Sequence, residues 1–114
     1  MDDCLFCRIV AGEVPAQVVY SDDDLIAFRD IQPQAPVHVL VIPRKHIPTF
    51  GDLSDEDEVL VGRIARAAAR IAEQEGVSKS GYRSVVNAGP DANQSVPHLH
   101  LHVLGGRPMS WPPG

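Results

Sequence analysis

The sequence predicts an α+β domain: a five-stranded, mainly antiparallel sheet carrying one long helix and one short one. Three observations predict it. Five short apolar or β-branched runs are separated by turn residues at hairpin-like spacing. A single long stretch, after Ser54 and up to Gly76, repeats its apolar residues at helical spacing. With 114 residues the chain has the length of one domain with a modest core, residues 1–114, of which 105–114 read as a tail.

The first element, "CLFCRIVAGEVP", is a short apolar stretch closed by Gly12 and Pro15, one or two helical turns. Two β-rich runs follow, Gln17–Tyr20 and Leu25–Arg29, and Ser21-Asp22-Asp23-Asp24 between them is a hairpin signal. "VHVLVIP" is almost wholly apolar, which predicts a central strand that ends at Pro43. The long helix has Ser54 as its cap with Asp57 three residues on, acidic residues in its first turn and Gly76 at its end. Leu60, Ile64, Ala67, Ala68 and Ile71 give it one apolar face for the sheet. Two further strands are expected over Tyr82–Asn87 and His98–Leu104, joined by the polar loop "AGPDANQSVP". The tail, with three prolines and the only Trp, is neither helix nor strand.

Net charge is −5, and no basic run extends beyond Arg44-Lys45. Nucleic acid and anionic membrane are therefore not expected as main partners. No apolar stretch approaches the roughly 20 residues that span a bilayer, and the acidic start "MDDCLFCRIV" is not a basic signal region. A cytoplasmic protein is expected. The two cysteines, Cys4 and Cys7, stand three positions apart. They make a poor disulfide framework and a better metal or redox pair.

Five histidines fall in two segments: His38 and His46, then His98, His100 and His102. In a strand the last three share one face at steps of about 6.6 Å, with Leu99, Leu101 and Val103 facing the core. One such histidine would be a polar surface residue; three point to metal binding or imidazole catalysis. A strand spanning about 13 Å from first to third cannot wrap one ion, so their roles should divide. Imidazole is a nucleophile toward phosphorus, and the preceding loop supplies Asn87, Gly89, Asn93, Gln94 and Ser95 as neutral donors for an anion. Gly105-Gly106 is expected to leave room for a ligand.

"HLHLHVL" resembles the signature of the histidine triad (HIT) nucleotide hydrolases and transferases. "DDDLIAFRDIQPQAPVHVLVIPRKHI", "GYRSVVNAGPDANQSVPHLHLHVLGG" and "RPMSWPPG" resemble, in order and spacing, its Hint branch, the purine nucleoside phosphoramidases. The resemblance implies that His100 attacks the α-phosphate to form a nucleotidyl-histidine. It puts His102 and His38 around the phosphate and Ser95 near the leaving amine. Asp30 and Ile31 match positions that meet ribose and base. Phe6, Ile9 and Phe28 match an apolar slot for the base; Asn87 and the backbone of Asn93, Gln94 and Ser95 match phosphate and ribose contacts. A symmetric homodimer acting on a purine nucleotide is implied. The rival readings are a dinucleoside polyphosphate hydrolase and an AMP-binding regulatory protein with incidental turnover.

"CLFC" departs from the animal Hint proteins but resembles many bacterial members, in which a Cys-x-x-Cys pair holds zinc. That resemblance implies one structural zinc per chain on Cys4, Cys7, His46 and His98. A closed four-ligand set is structural rather than catalytic. Pro97 and Ser110 are the remaining departures, where animal proteins carry an aromatic residue and a histidine.

Overall fold

The computed structural model describes residues 3–114. A short helix α1 (Leu5–Val10) is followed by β1 (Val18–Ser21), β2 (Leu25–Arg29) and β3 (Val37–Pro43). The long helix α2 (Glu58–Gln74), β4 (Tyr82–Val86) and β5 (Leu101–Gly105) complete the chain. The strands form one sheet in the order β1-β2-β3-β5-β4, every neighbouring pair antiparallel. The α+β class read from the sequence is the class observed. Among the described residues no helix is long and apolar enough to cross a membrane.

Both faces of β3 are covered, which is why its sequence does not alternate. Val39 and Val41 point into a core shared with Ile64, Ala67, Ala68 and Ile71 of α2. Leu40 and Ile42 point the other way, into a second cluster with Phe6 and Ile9 of α1 and Phe28 of β2. Alternation in a strand then puts His38 on the α1 face. In β5, Val103 belongs to the α2 core, so His102 joins His38 on the α1 face. The register places Leu40 opposite His102 and His38 opposite Leu104, which makes the two histidines diagonal neighbours. The fold thus gathers imidazoles on the face covered by the six-residue helix α1 and by Val14, Ala16 and Val96 from the loops.

The β1–β2 turn is held by Asp22, whose Oδ1 accepts the Asp24 and Leu25 N–H groups at 2.9 and 2.8 Å. Before α2, Ser54 and Asp57 form the expected capping box. The residues Asp55–Asp57 are a tight 3₁₀ turn, however, and the α-helix proper starts only at Glu58. Lys45 holds the Asp57 carboxylate at 2.7 Å and so ties this turn to the end of β3.

Two expectations are corrected. The strand expected over His98–Leu104 begins only at Leu101. Upstream of it the backbone is engaged elsewhere: Leu99 N–H donates to Ile47 O at 2.6 Å and His98 N–H to Val96 O at 2.8 Å. Only His102 of the three histidines therefore lies on the sheet ladder. Gly105 ends β5 rather than opening the tail, and the space a side chain would take at either glycine is filled by protein, although Gly106 also lines an open groove of about 380 Å³ with Ser80, Gly81, Arg107 and Pro108. A Cβ on Gly105 would lie 2.9 Å from Val77 Cβ, and one on Gly106 2.9 Å from Pro36 Cβ. These glycines let two segments approach closely.

Gly105→Ala is accordingly expected to cost about 1–3 kcal/mol of unfolding free energy, because Val77 is branched at the atom that would be struck. Urea unfolding should show a lower midpoint with an unchanged slope. A midpoint equal to that of the parent protein would contradict this packing.

Candidate active site and metal cluster

Cys4 caps the N-terminus of α1, its sulfur accepting the Cys7 N–H at 3.4 Å, so one short turn presents both sulfurs together. His46, just past β3, and His98 complete a cluster whose ligand atoms all lie within 4.8 Å of one another. Nδ1 of His98 is 3.5 Å from Cys4 Sγ, 3.6 Å from Cys7 Sγ and 3.2 Å from His46 Nδ1. Cys7 Sγ lies 3.2 Å from His46 Nδ1. A tetrahedral ion with thiolate and imidazole bonds of zinc length would space its ligands by about 3.6 Å for S···N and about 3.3 Å for N···N. The donor set fits. His98 Nε2–H donates to Pro43 O at 2.8 Å, which leaves Nδ1 as the bare nitrogen facing the sulfurs. Burial, and then Cys4 beside it, push the Cys7 thiol up; a cation in the cluster is what would stabilise the thiolate.

His98 also reaches the second histidine. Its carbonyl accepts the His100 Nδ1–H at 2.8 Å. His100 is buried, and with its proton on Nδ1 its Nε2 keeps a lone pair. Phe6 fixes the ring from the side, edge-on at 5.1 Å between centroids and 89° between planes. The His98–Leu99–His100 stretch therefore sends one imidazole to the cluster, Leu99 to the α2 core and one imidazole to the α1 face.

His38 and His102 form a hydrogen-bonded pair, Nε2 to Nδ1 at 2.9 Å. The direction of the proton follows from the other side of His38. Its Nδ1 accepts the Gln34 N–H at 3.0 Å, so the neutral ring carries its proton on Nε2 and donates it to His102. Neutral His102 is then protonated on its own Nε2. Burial lowers the basicity of His38, with Asp30 Oδ2 at 3.4 Å working against the shift. His102 is pushed down to about 4, by burial first and then by His100 and His38. Burial also lowers His98, partly offset by the Pro43 carbonyl. Asp30, His38 and His102 bring three potential ligand atoms together. They do not fit a cation, because the His38 nitrogen facing His102 must hold a proton.

Beside Asp30 opens a cleft of about 170 Å³ lined by Ile9, Phe28 and Ile31 together with Leu5, Ala16 and Leu40. It is smaller than the roughly 300–1,000 Å³ of a pocket for a whole drug-sized ligand, and its apolar walls suit one flat ring system. Phe6 does not line it; the ring is buried between Phe28, His98 and His100. Asp30 uses Oδ1 on the Gln32 N–H at 2.8 Å and keeps Oδ2 for other partners. Larger grooves lie elsewhere: two of about 460 Å³ each beside α2 among charged side chains such as Arg63, on the opposite face of the sheet from His102, and one of about 380 Å³ beside Gly81, Gly106 and Arg107.

The loop after β4 begins at half-buried Asn87, and Asn93 (φ 61°) and Ser95 are exposed on it. The side chain of Gln94 is occupied within the fold: Oε1 accepts Gly89 N–H at 2.9 Å, and Nε2 donates to Pro48 O at 2.7 Å and Val96 O at 3.0 Å. The N–H groups of Asn93 and Gln94 close on Pro90 O and Gly89 O. Sequence reasoning missed Gln34 and Pro43. Both act through backbone atoms, for which a side-chain pattern carries no signal.

Residues 11–109 match the family model described as HIT domain. The chain is 48% identical to the purine nucleoside phosphoramidase of Escherichia coli over 108 residues, 95% of this chain and 91% of that protein. The crystal structure of a HIT family hydrolase from Legionella pneumophila is 53% identical, with a TM-score of 0.96 over 98% of this chain and all of that one (100%). A Zn-bound histidine triad family protein from Mycobacterium smegmatis is 33% identical, with a TM-score of 0.79 over 93% of this chain and 76% of that one.

The lowered basicity of His102 has a measurable consequence for stability. Between pH 6.5 and about 4, the unfolded chain takes up a proton at His102 that the folded protein refuses. The stability this group contributes is whole above that window and is lost as the pH falls through it. Urea unfolding of the parent and of His102→Asn across the window should show the parent losing stability more steeply. Parallel pH profiles would contradict a buried, neutral His102.

Proposed function

The chain belongs to the HIT family, and from that membership and its histidine geometry we propose that it hydrolyses the P–N bond of purine nucleoside 5′-phosphoramidates. The observation that carries the reading is the His100 Nδ1–H bond to His98 O at 2.8 Å, which leaves Nε2 unprotonated and nucleophilic. Nε2 attacks the α-phosphorus to form an N–P bond as the P–N bond of the substrate breaks, and the amine leaves neutral, its nitrogen taking a proton from solvent beside exposed Ser95. His102 Nε2–H donates to a nonbridging phosphoryl oxygen and is kept in that orientation by His38. Water then cleaves the nucleotidyl-histidine and restores His100.

The base enters the apolar cleft between Ile9, Phe28 and Ile31, and Asp30 Oδ2 accepts from the ribose hydroxyls. Asn87 and the Ser95 backbone meet ribose and phosphate, while the Asn93 and Gln94 N–H groups, held by Pro90 O and Gly89 O, keep the loop in shape for them. Phe6 acts indirectly, as the wall against which His100 is held. The E. coli relative, by its name a purine nucleoside phosphoramidase, supports the choice of substrate class.

Zinc is the metal proposed for Cys4, Cys7, His46 and His98, one per chain. With all four positions taken by protein, a bound zinc would supply a cross-link and no open site for Lewis-acid chemistry. A homodimer is proposed as well. The edge strands β1 and β4 each keep one unpaired side, and Trp111 is 82% exposed on the tail.

Two outcomes test this reading. His100→Ala should lower turnover of an adenosine phosphoramidate by more than about a thousandfold while AMP affinity changes only a few-fold. Intact mass after rapid quench should show a nucleotidyl adduct on the parent protein only. An adduct on the variant, or undiminished turnover, would overturn the nucleophile. Purified protein should carry close to one zinc per chain by elemental analysis, and chelation should lower its melting temperature. Metal-free protein with Cys4 and Cys7 joined in a disulfide would instead establish the redox pair.

A further inference from the structure

We infer that Arg107, in the C-terminal tail, is a positioning residue that sets the tautomer of His38 through the backbone of Gln34. The inference rests on the role given to the His38–His102 pair above. The residues between β2 and β3, from Asp30 to Pro36, have no strand partner. Their internal ties are short: Asp30 N–H to His38 O at 3.0 Å, Gln32 N–H to Asp30 Oδ1 at 2.8 Å, and Gln34 Nε2 to Gln32 O at 3.0 Å. From outside, Arg107 Nε–H donates to Gln34 O at 3.0 Å. The same guanidinium is steadied by its own chain, NH1 donating to Pro108 O at 3.1 Å. Next to it, Gly106 presses on Pro36, where a Cβ would stand at 2.9 Å.

Gln34 is thus gripped at its carbonyl while its N–H supports His38 Nδ1 at 3.0 Å. That support, with the Asp30 carboxylate on the other side at 3.4 Å from Nε2, sets where the protons lie, and of the two it is the shorter contact. A neutral imidazole can carry its proton on either nitrogen, and the Gln34 N–H selects Nε2. Without it, a proton on His38 Nδ1 becomes accessible and Nε2 turns into an acceptor. His102 must then protonate Nδ1 to keep the bond of 2.9 Å, and its Nε2 is left with a lone pair. A lone pair facing a phosphoryl oxygen repels where an N–H attracts. One carbonyl grip from the tail therefore governs the sign of an interaction in the site.

The experiment compares Arg107→Gln with Arg83→Gln. Arg83 also ties down the tail, donating to Ser110 O at 2.9 Å, but does not touch the Gln34 loop. Imidazole ¹⁵N spectra of substrate-free protein report the His38 tautomer, and steady-state kinetics report turnover. In Arg107→Gln the His38 signals should shift from the Nε2–H form toward a mixture. Its kcat should fall about three- to tenfold with KM within about twofold, the size expected from weakening one hydrogen-bond relay. Arg83→Gln should match the parent in both. An unchanged His38 spectrum in Arg107→Gln, equal effects from the two variants, or a shifted tautomer with unchanged kcat would each overturn the inference. The spectra need no substrate, so failure of the reaction assigned to His100 would be read separately, from the His100→Ala adduct.

Discussion

Everything in the site depends on how the peptide at His98 is held. Its N–H donates to Val96 O, its Nε2–H to Pro43 O, its Nδ1 faces two sulfurs and His46, and its carbonyl takes the proton of His100. Leu99 next to it is buried in the α2 core with its N–H on Ile47 O. A residue fixed at every polar atom has no freedom to drift, and the nucleophile inherits that rigidity through a single 2.8 Å bond. The cluster therefore serves the proposed chemistry without touching it: it anchors the atom that decides which His100 nitrogen is bare.

Burial explains why five imidazoles can share so small a region. His38, His98 and His102 are all less basic than usual, chiefly because burial disfavours the charged ring. Neutral imidazoles donate from one nitrogen and accept at the other, so they can be chained head to tail where charged ones would repel. Each chain needs an end that states its direction. Here both ends are backbone: the Gln34 N–H for His38 and the His98 carbonyl for His100. No buried side-chain nitrogen or oxygen among the described residues is left without a partner.

Much of the fold was legible because each signal had one physical cause. The apolar face of α2 was readable from Ile64, Ala67, Ala68 and Ile71, all buried as the 3.6-residue period requires. The unbroken apolar run of β3 followed from cover on both faces. What stayed hidden came from competition that a pattern cannot express. Periodicity carried the last strand back to His98, but the cluster and the Ile47 carbonyl draw that backbone off the ladder. Gly105 and Gly106 read as space for a ligand; what they admit on the side where a Cβ would stand is Val77 and Pro36, distant in sequence. Phe6 read as part of a base-binding slot, and its ring is instead packed against His100. The roles of Gln34 and Pro43 lie in an N–H and a carbonyl that every neighbouring residue also possesses.

The central claim is an arrangement of protons, and neutron diffraction from deuterated crystals at neutral pH would test it most directly. The account predicts deuterium on Nδ1 of His100 and on Nε2 of His98, His38 and His102, with Nε2 of His100 bare. Deuterium on Nε2 of His100, with Nδ1 bare beside the His98 carbonyl, would contradict it.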